Sequence, residues 1–126
     1  MARAENGPSL LHAAGFEPRI ARVAIAGMYA SYQTVVENEY YQPRYVYSMV
    51  PGALRAYDLP DLAAALAPRR LWLSDPVDSN GNLLAAAEFD KAYKITKQNY
   101  GKMNSPLDLL QNSNPIAKLL EWAQEK

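Results

Sequence analysis

The stretch PGALRAYDLPDLAAALAPRRLWLSDPVDSNGN, residues 51–82, decides how this chain folds. It spells a loop, a short capped helix, a buried strand and a polar loop carrying an acid. Asp58 is a good N-cap, because its carboxylate accepts from the free N–H groups of a first helical turn. Pro60 suits that turn, where a missing donor is harmless, and Asp61 adds negative charge at the positive end of the helix dipole. Leu62 to Leu66 form the apolar body of the helix. Pro68 ends it, since the residue before a proline is pushed out of the helical region. Leu71-Trp72-Leu73 is too short for a helix and is bounded by prolines, so it reads as a buried strand. Asp75-Pro76-Val77-Asp78-Ser79-Asn80-Gly81-Asn82 then leaves the strand's carboxyl end in turn-forming residues. In open α/β sheets the chemistry sits outside the carboxyl ends of the strands, which makes Asp78 the first candidate site residue.

Working outward, Pro8 suits a first helical turn, and Leu10, Leu11, Ala13 and Ala14 make an apolar helix ending at Gly15. Val23 and Ile25 alternate as a strand within residues 23–26. Helix followed by strand is half of a parallel crossover unit, so the fold class is α/β: one domain over residues 1–126, a parallel sheet flanked by helices. Residues 31–39 predict a short helix, and Leu83 to Tyr100 a long amphipathic one capped by Gly101. The latter carries a core stripe of Phe89, Ala92, Tyr93, Thr96 and Tyr100. Leu107, Leu109 and Leu110 suggest a short terminal strand. Asn114 then caps a last helix with Pro115 at its first position, its apolar face being Ile116, Leu119, Leu120 and Ala123, bordered by Trp122.

PGAL…YDLPDLAAALAPR, a short apolar strand and then PVD resembles the later part of α/β-hydrolases of the acetyl xylan esterase and glucuronoyl esterase-like group. The resemblance implies that Asp78 is a triad acid. It extends to LLHAAGFEPRI, which is similar to the segment after a nucleophile elbow of the form G-x-S-x-G-G. In that register Ala2 falls on the first glycine, Gly7 on a later one, and Ala4 on the serine. The nucleophile is therefore replaced, and the strand that should precede it is expected to be missing. The triad histidine follows the acid in such enzymes, and no histidine follows Asp78. His12, the only one, lies before the acid and reads as a packing residue. The resemblance thus implies a partial or degenerate carboxylic ester hydrolase, acetyl xylan esterase-like, that keeps its acid but is inactive alone. Its parent would act on an ester or carbohydrate substrate.

A second reading comes from another class. Residues 29–47 carry Tyr29, Tyr32, Tyr40, Tyr41, Tyr45 and Tyr47. Tyrosines stack on sugar rings and donate hydrogen bonds, so the segment suits a non-catalytic interaction or carbohydrate-binding module, with Tyr40, Tyr41 and Tyr45 as binding residues. The same rings also suit packing with wet hydroxyls.

Composition narrows the field. The 126 residues carry 13 basic and 13 acidic side chains with no basic stripe, which argues against nucleic acid as a partner. The absence of cysteine excludes disulfides, thiolate metal sites and cysteine nucleophiles, and identifies no compartment. No apolar run reaches the length of a membrane span, so no membrane partner is expected. Asp75, Asp78 and Glu88 make a thin ligand set, and no glycine-rich loop opens a helix after a strand. No metal and no cofactor are expected. Without a strand beside Val23–Ala26, that edge is expected to lie bare, inviting self-association or a partner that supplies the missing strands.

Overall fold

The computed structural model describes residues 1–111 and 115–125. It contains a four-stranded, all-parallel sheet in the order β1-β2-β3-β4, with flanking helices, an α/β architecture. The strands are β1 (Ala2–Arg3), β2 (Arg22–Ala26), β3 (Arg70–Ser74) and β4 (Leu107–Leu110). The helices are α1 (Gly7–Phe16), α2 (Tyr32–Val36), α3 (Leu59–Ala65), α4 (Ala86–Ala92), α5 (Lys94–Lys102) and α6 (Pro115–Gln124). Short 3₁₀ turns cover Ala4–Asn6, Pro43–Ser48 and Ala53–Arg55.

Strand alternation sorts the sheet into two faces. Val23, Ile25, Leu71, Leu73, Leu107 and Leu109 point to one side, where they meet Leu11 and Ala14 of α1, Ala63 of α3, and Tyr93 and Tyr100 of the α4–α5 region. Ala24, Ala26, Trp72 and Leu110 point to the other, where Leu119 and Trp122 of α6 cover them. Val23, Leu71 and Trp72 are almost completely buried. Each such apolar side chain contributes roughly 1.5–3 kcal/mol relative to exposure, so the sheet's hydrophobic pairs anchor the domain. β2 and β3 are adjacent and parallel, in the register Val23 to Leu71 and Ile25 to Leu73.

The Asp58 cap stands as the sequence reads it. Asp58 caps α3 through a full capping box with Asp61, and Ser31 caps α2 by accepting from the Thr34 N–H. Arg69 closes the other end of α1, its guanidinium donating to the carbonyls of Ala14, Glu17 and Ile20. A cation at the negative end of a helix satisfies carbonyls that have no intrahelical partner, which gives the arginine before β3 a structural job.

Five expectations change. A strand does precede α1: Ala2 and Arg3 pair in parallel with Ile25 and Ala26, so the edge of β2 is covered at its carboxyl end and open only over Arg22–Ala24 among the described residues. The helix expected over Leu83 to Tyr100 begins only at Ala86, because Leu83 bridges Val77. It divides at Tyr93, whose backbone (φ −99°, ψ 18°) leaves the helical region, while Phe89, Tyr93, Thr96 and Tyr100 of its core stripe are buried and Ala92 is half-buried. Gly101 lies inside α5, and the left-handed residue beyond the helix is Asn104 at φ 48°. α2 ends at Val36, short of Glu39. On α6, Leu119 and Trp122 face the sheet while Ile116 and Leu120 are 63% and 59% exposed, because the cluster it covers is narrow. The expected Asn114 cap falls outside the described residues.

Candidate functional site

The carboxyl ends of all four strands lie along one edge of the sheet, as their parallel pairing requires. Two local geometries there carry chemical interest.

The first is the turn from β1 into α1. Ala4 has φ 48°, a left-handed conformation that a residue with a Cβ adopts only at a cost of about 1–3 kcal/mol. Strand, left-handed residue and helix follow one another within Ala2–Gly7. Gly7 sits where the new helix crosses β2, and a Cβ there would lie 2.6 Å from Met28 Sδ and 2.8 Å from Ile25 Cγ2. Only glycine permits this approach without displacing the core. Ala4, which the sequence register sets in the serine's place, is one of three non-glycine residues with positive φ among the described residues, with Asp75 and Asn104.

The second is the loop after β3. Val77 bridges Tyr29 on one side and Leu83 on the other, which fixes the excursion between them. Asp78 lies in it, in the loop that follows β3, where the sequence placed it. Its carboxylate accepts from the backbone N–H groups of Asn80 (2.8 Å) and Asn82 (2.9 Å) and from the Asn82 side-chain amide (3.3 Å). The Asp78 N–H donates to the Asn82 carbonyl (2.8 Å), closing the loop on itself. Asp78 therefore has a fixed orientation and a structural role in its own loop.

The tyrosine segment is laced to this loop. Gln42 donates from its backbone N–H to the Ser79 carbonyl and from its side chain to the Asn80 carbonyl, both at 2.8 Å. Arg44 lies 3.9 Å from Glu5, next to Ala4, so the segment spans from the Asp78 loop to the β1–α1 turn. Tyr40 and Tyr41 are 74% and 42% exposed. Tyr45 is buried at 1% and packs its ring 4.6 Å from that of Tyr29, so it offers no open face for stacking, and its expected binding role gives way to a packing one. Tyr29 and Tyr32 anchor their hydroxyls on Ser48, at its Oγ and its carbonyl. Burial pushes Tyr29 up to about 12 and Tyr32 and Tyr93 higher still, so these phenols are neutral near pH 7 and hold no proton ready for transfer.

Beside the Asp78 loop opens a cleft of about 720 Å³ between α2, α3 and α4. Gln33, Asn38 and Asn80 offer amides to it, Leu84 and Ile95 offer apolar surface, and Glu37, Asp58, Asp61, Asp78 and Glu88 face a single lysine, Lys91. Sequence reasoning did not find this cleft, because α2, α3 and α4 meet only in three dimensions. His12 lies elsewhere: its Nδ1 donates to the Pro8 carbonyl at 2.7 Å and its Nε2 sits 2.9 Å from the Tyr57 hydroxyl. It is a packing residue of α1, as its sequence position suggested. Among the described residues no group of three His, Cys, Asp or Glu side chains is arranged to hold a metal ion, and no helix is long and apolar enough to cross a membrane. No protein-family model, curated protein or solved structure matches the chain.

Proposed function

We propose that this chain is an α/β-hydrolase-like portion of a carboxylic ester hydrolase, resembling the acetyl xylan esterase group, in which the nucleophile's place is held by an alanine. The observation that carries this reading is the left-handed Ala4 between β1 and α1, with Gly7 wedged against Met28 and Ile25. A nucleophile elbow is such a strained strand-to-helix turn, which projects one side chain and aims backbone N–H groups at an oxyanion. Asp78 beyond the carboxyl end of β3 supports the same reading, as does β1 lying beside β2.

With no hydroxyl at position 4 and no histidine after Asp78, the chain alone has neither nucleophile nor base. The acid without them orients nothing. The reading is therefore of a binding or scaffolding remnant, silent toward esters. The excess of carboxylates around the cleft supports a neutral, polyhydroxylated ligand over an anionic one. A second reading, a carbohydrate-binding or interaction module, is favoured by Tyr40, Tyr41 and Tyr47, exposed on one segment.

The test restores the missing group. The unaltered chain is expected to leave p-nitrophenyl acetate intact, whereas Ala4→Ser, with free imidazole supplying the absent base, is expected to carry an acetyl group on the introduced hydroxyl, read by peptide mass spectrometry. Gly15→Ser, at the far end of α1, is the control. Equal acetylation of the two variants would sink the elbow reading. Xylo-oligosaccharide binding abolished by Tyr40→Ala with Tyr41→Ala would favour the module instead.

A further inference from the structure

The Asp78 loop contains Asn80-Gly81, and we propose that Asn80 is a self-modification site, a side chain that deamidates through a succinimide and so rewrites the loop that holds Asp78. Three observations carry the proposal. Asn80 is exposed, and among the described residues its carboxamide has no hydrogen-bond partner, while its backbone is fixed at both ends: its N–H donates to Asp78 Oδ1 (2.8 Å) and its carbonyl accepts from Gln42 Nε2 (2.8 Å). The side chain is thus the free part of a held residue. The next residue is glycine, at φ 88°, so no Cβ shields its nitrogen from the Asn80 carboxamide carbon. Among the described residues the Gly81 N–H is engaged only by the Asp78 carbonyl, at a long 3.2 Å.

The chemistry balances with water alone. The Gly81 nitrogen, losing its proton to solvent, bonds to the Asn80 side-chain carbonyl carbon, and the amide nitrogen leaves as ammonia. Water then opens the five-membered ring at one of its two carbonyls. Opening at one gives aspartate; opening at the other gives isoaspartate, which routes the main chain through the former side chain and adds a methylene to it. Either product puts a further carboxylate beside Asp78, at the cleft whose lining already carries Glu37, Asp58, Asp61 and Glu88 against Lys91. The isoaspartate also lengthens the path between residues 80 and 82. The Asn80 and Asn82 N–H groups then no longer reach Asp78 Oδ1 together, and the link from Gln42 to the Asn80 carbonyl is displaced.

The chain supplies its own comparator. Asn6-Gly7 has the same dipeptide, but Asn6 has helical backbone (φ −82°, ψ −10°), Gly7 opens α1, and Gly7 is locked against Met28 and Ile25. Ring closure there must first fray the helix and shift a core contact.

The experiment incubates the folded chain in mildly alkaline buffer and maps peptides by mass spectrometry, with protein isoaspartate methyltransferase as the probe that separates isoaspartate from aspartate. Asn80 is expected to convert at least about tenfold faster than Asn6, a ratio worth about 1.4 kcal/mol of barrier. In denaturant the two sites should converge. Asn80→Gln should abolish the modification and leave the fold unchanged by circular dichroism. An Asn80 that converts no faster than Asn6 in the folded chain, or an isoaspartate signal that Asn80→Gln leaves undiminished, would overturn the proposal.

Discussion

Removing the Asp58 carboxylate should cost far more than an ordinary helix cap. Its oxygens accept from the N–H groups of Leu59 (2.6 Å), Tyr32 (2.6 Å) and Gln33 (3.2 Å), so one side chain caps α3 and also ties down the start of α2. Losing an N-cap to alanine costs about 1 kcal/mol. A hydrogen bond to a charged group is worth about 1.5–3 kcal/mol. The Tyr32 bond is part-buried and counts near that range, whereas the exposed Gln33 bond is discounted by solvent. Asp58→Ala should therefore destabilise the chain by about 3 kcal/mol, a large share of the roughly 5–15 kcal/mol that holds a domain together. For a chain of this size that corresponds to a melting temperature lower by about 10 °C. Asp58→Asn keeps one acceptor oxygen and should lose about half as much. Urea titration and thermal melting followed by far-ultraviolet circular dichroism measure both variants. An alanine variant that melts within about 2 °C of the parent would refute the claim that this carboxylate joins the two helices.

Gly7→Ala pushes a methyl into Met28 and Ile25, whose side chains give only partly, so it should destabilise by about 1–3 kcal/mol in the same urea titration. A change below that range would mean that α1 does not approach β2 so closely. At high pH the tyrosine core should fail. Burial holds Tyr29 and Tyr100 up to about 12, above the ordinary 10.0, and shifts Tyr32 and Tyr93 the same way. The unfolded chain thus releases these protons first, and stability is full below pH 10 and falls as pH climbs through the folded values. Phenolate absorbance of these rings should rise together with loss of circular dichroism; a rise well before unfolding would show that they are wet.

The sheet was legible where the signal was local. Val23 and Ile25 alternate, Leu71 to Leu73 sits between prolines, and Asp58 reads as an N-cap with Asp61 in its first turn, and each stands where its chemistry put it; that the two close a full capping box emerged only in the fold. β1 was not legible, because two residues show no periodicity, and Ala2–Arg3 is a strand only because β2 lies beside it. The break at Tyr93 was hidden for the opposite reason. The apolar steps of Phe89, Thr96 and Tyr100 continue across it, so the pattern conceals a change in backbone. Tyr45 misled because a tyrosine reads alike on a sugar platform or in a core, and only the contact with Tyr29 separates them. At the site, Asp78 was visible as an acid beyond a strand, while the left-handed backbone of Ala4 left no trace in an alanine.

The reading rests most heavily on that turn, and a thiol placed in it reports on it directly. The chain has no cysteine, so Ala4→Cys introduces its single thiol. At an elbow opening a helix the thiolate gains from the helix's positive end and from nearby N–H groups, which should pull its pKa about one unit below the ordinary 8.5 or so. Gly15→Cys, at the negative end of the same helix in open space, is the reference. Alkylation by iodoacetamide as a function of pH gives both values. The elbow account predicts the Ala4→Cys thiol to be the more acidic by at least about one unit; equal values, or a more acidic Gly15→Cys thiol, would contradict it.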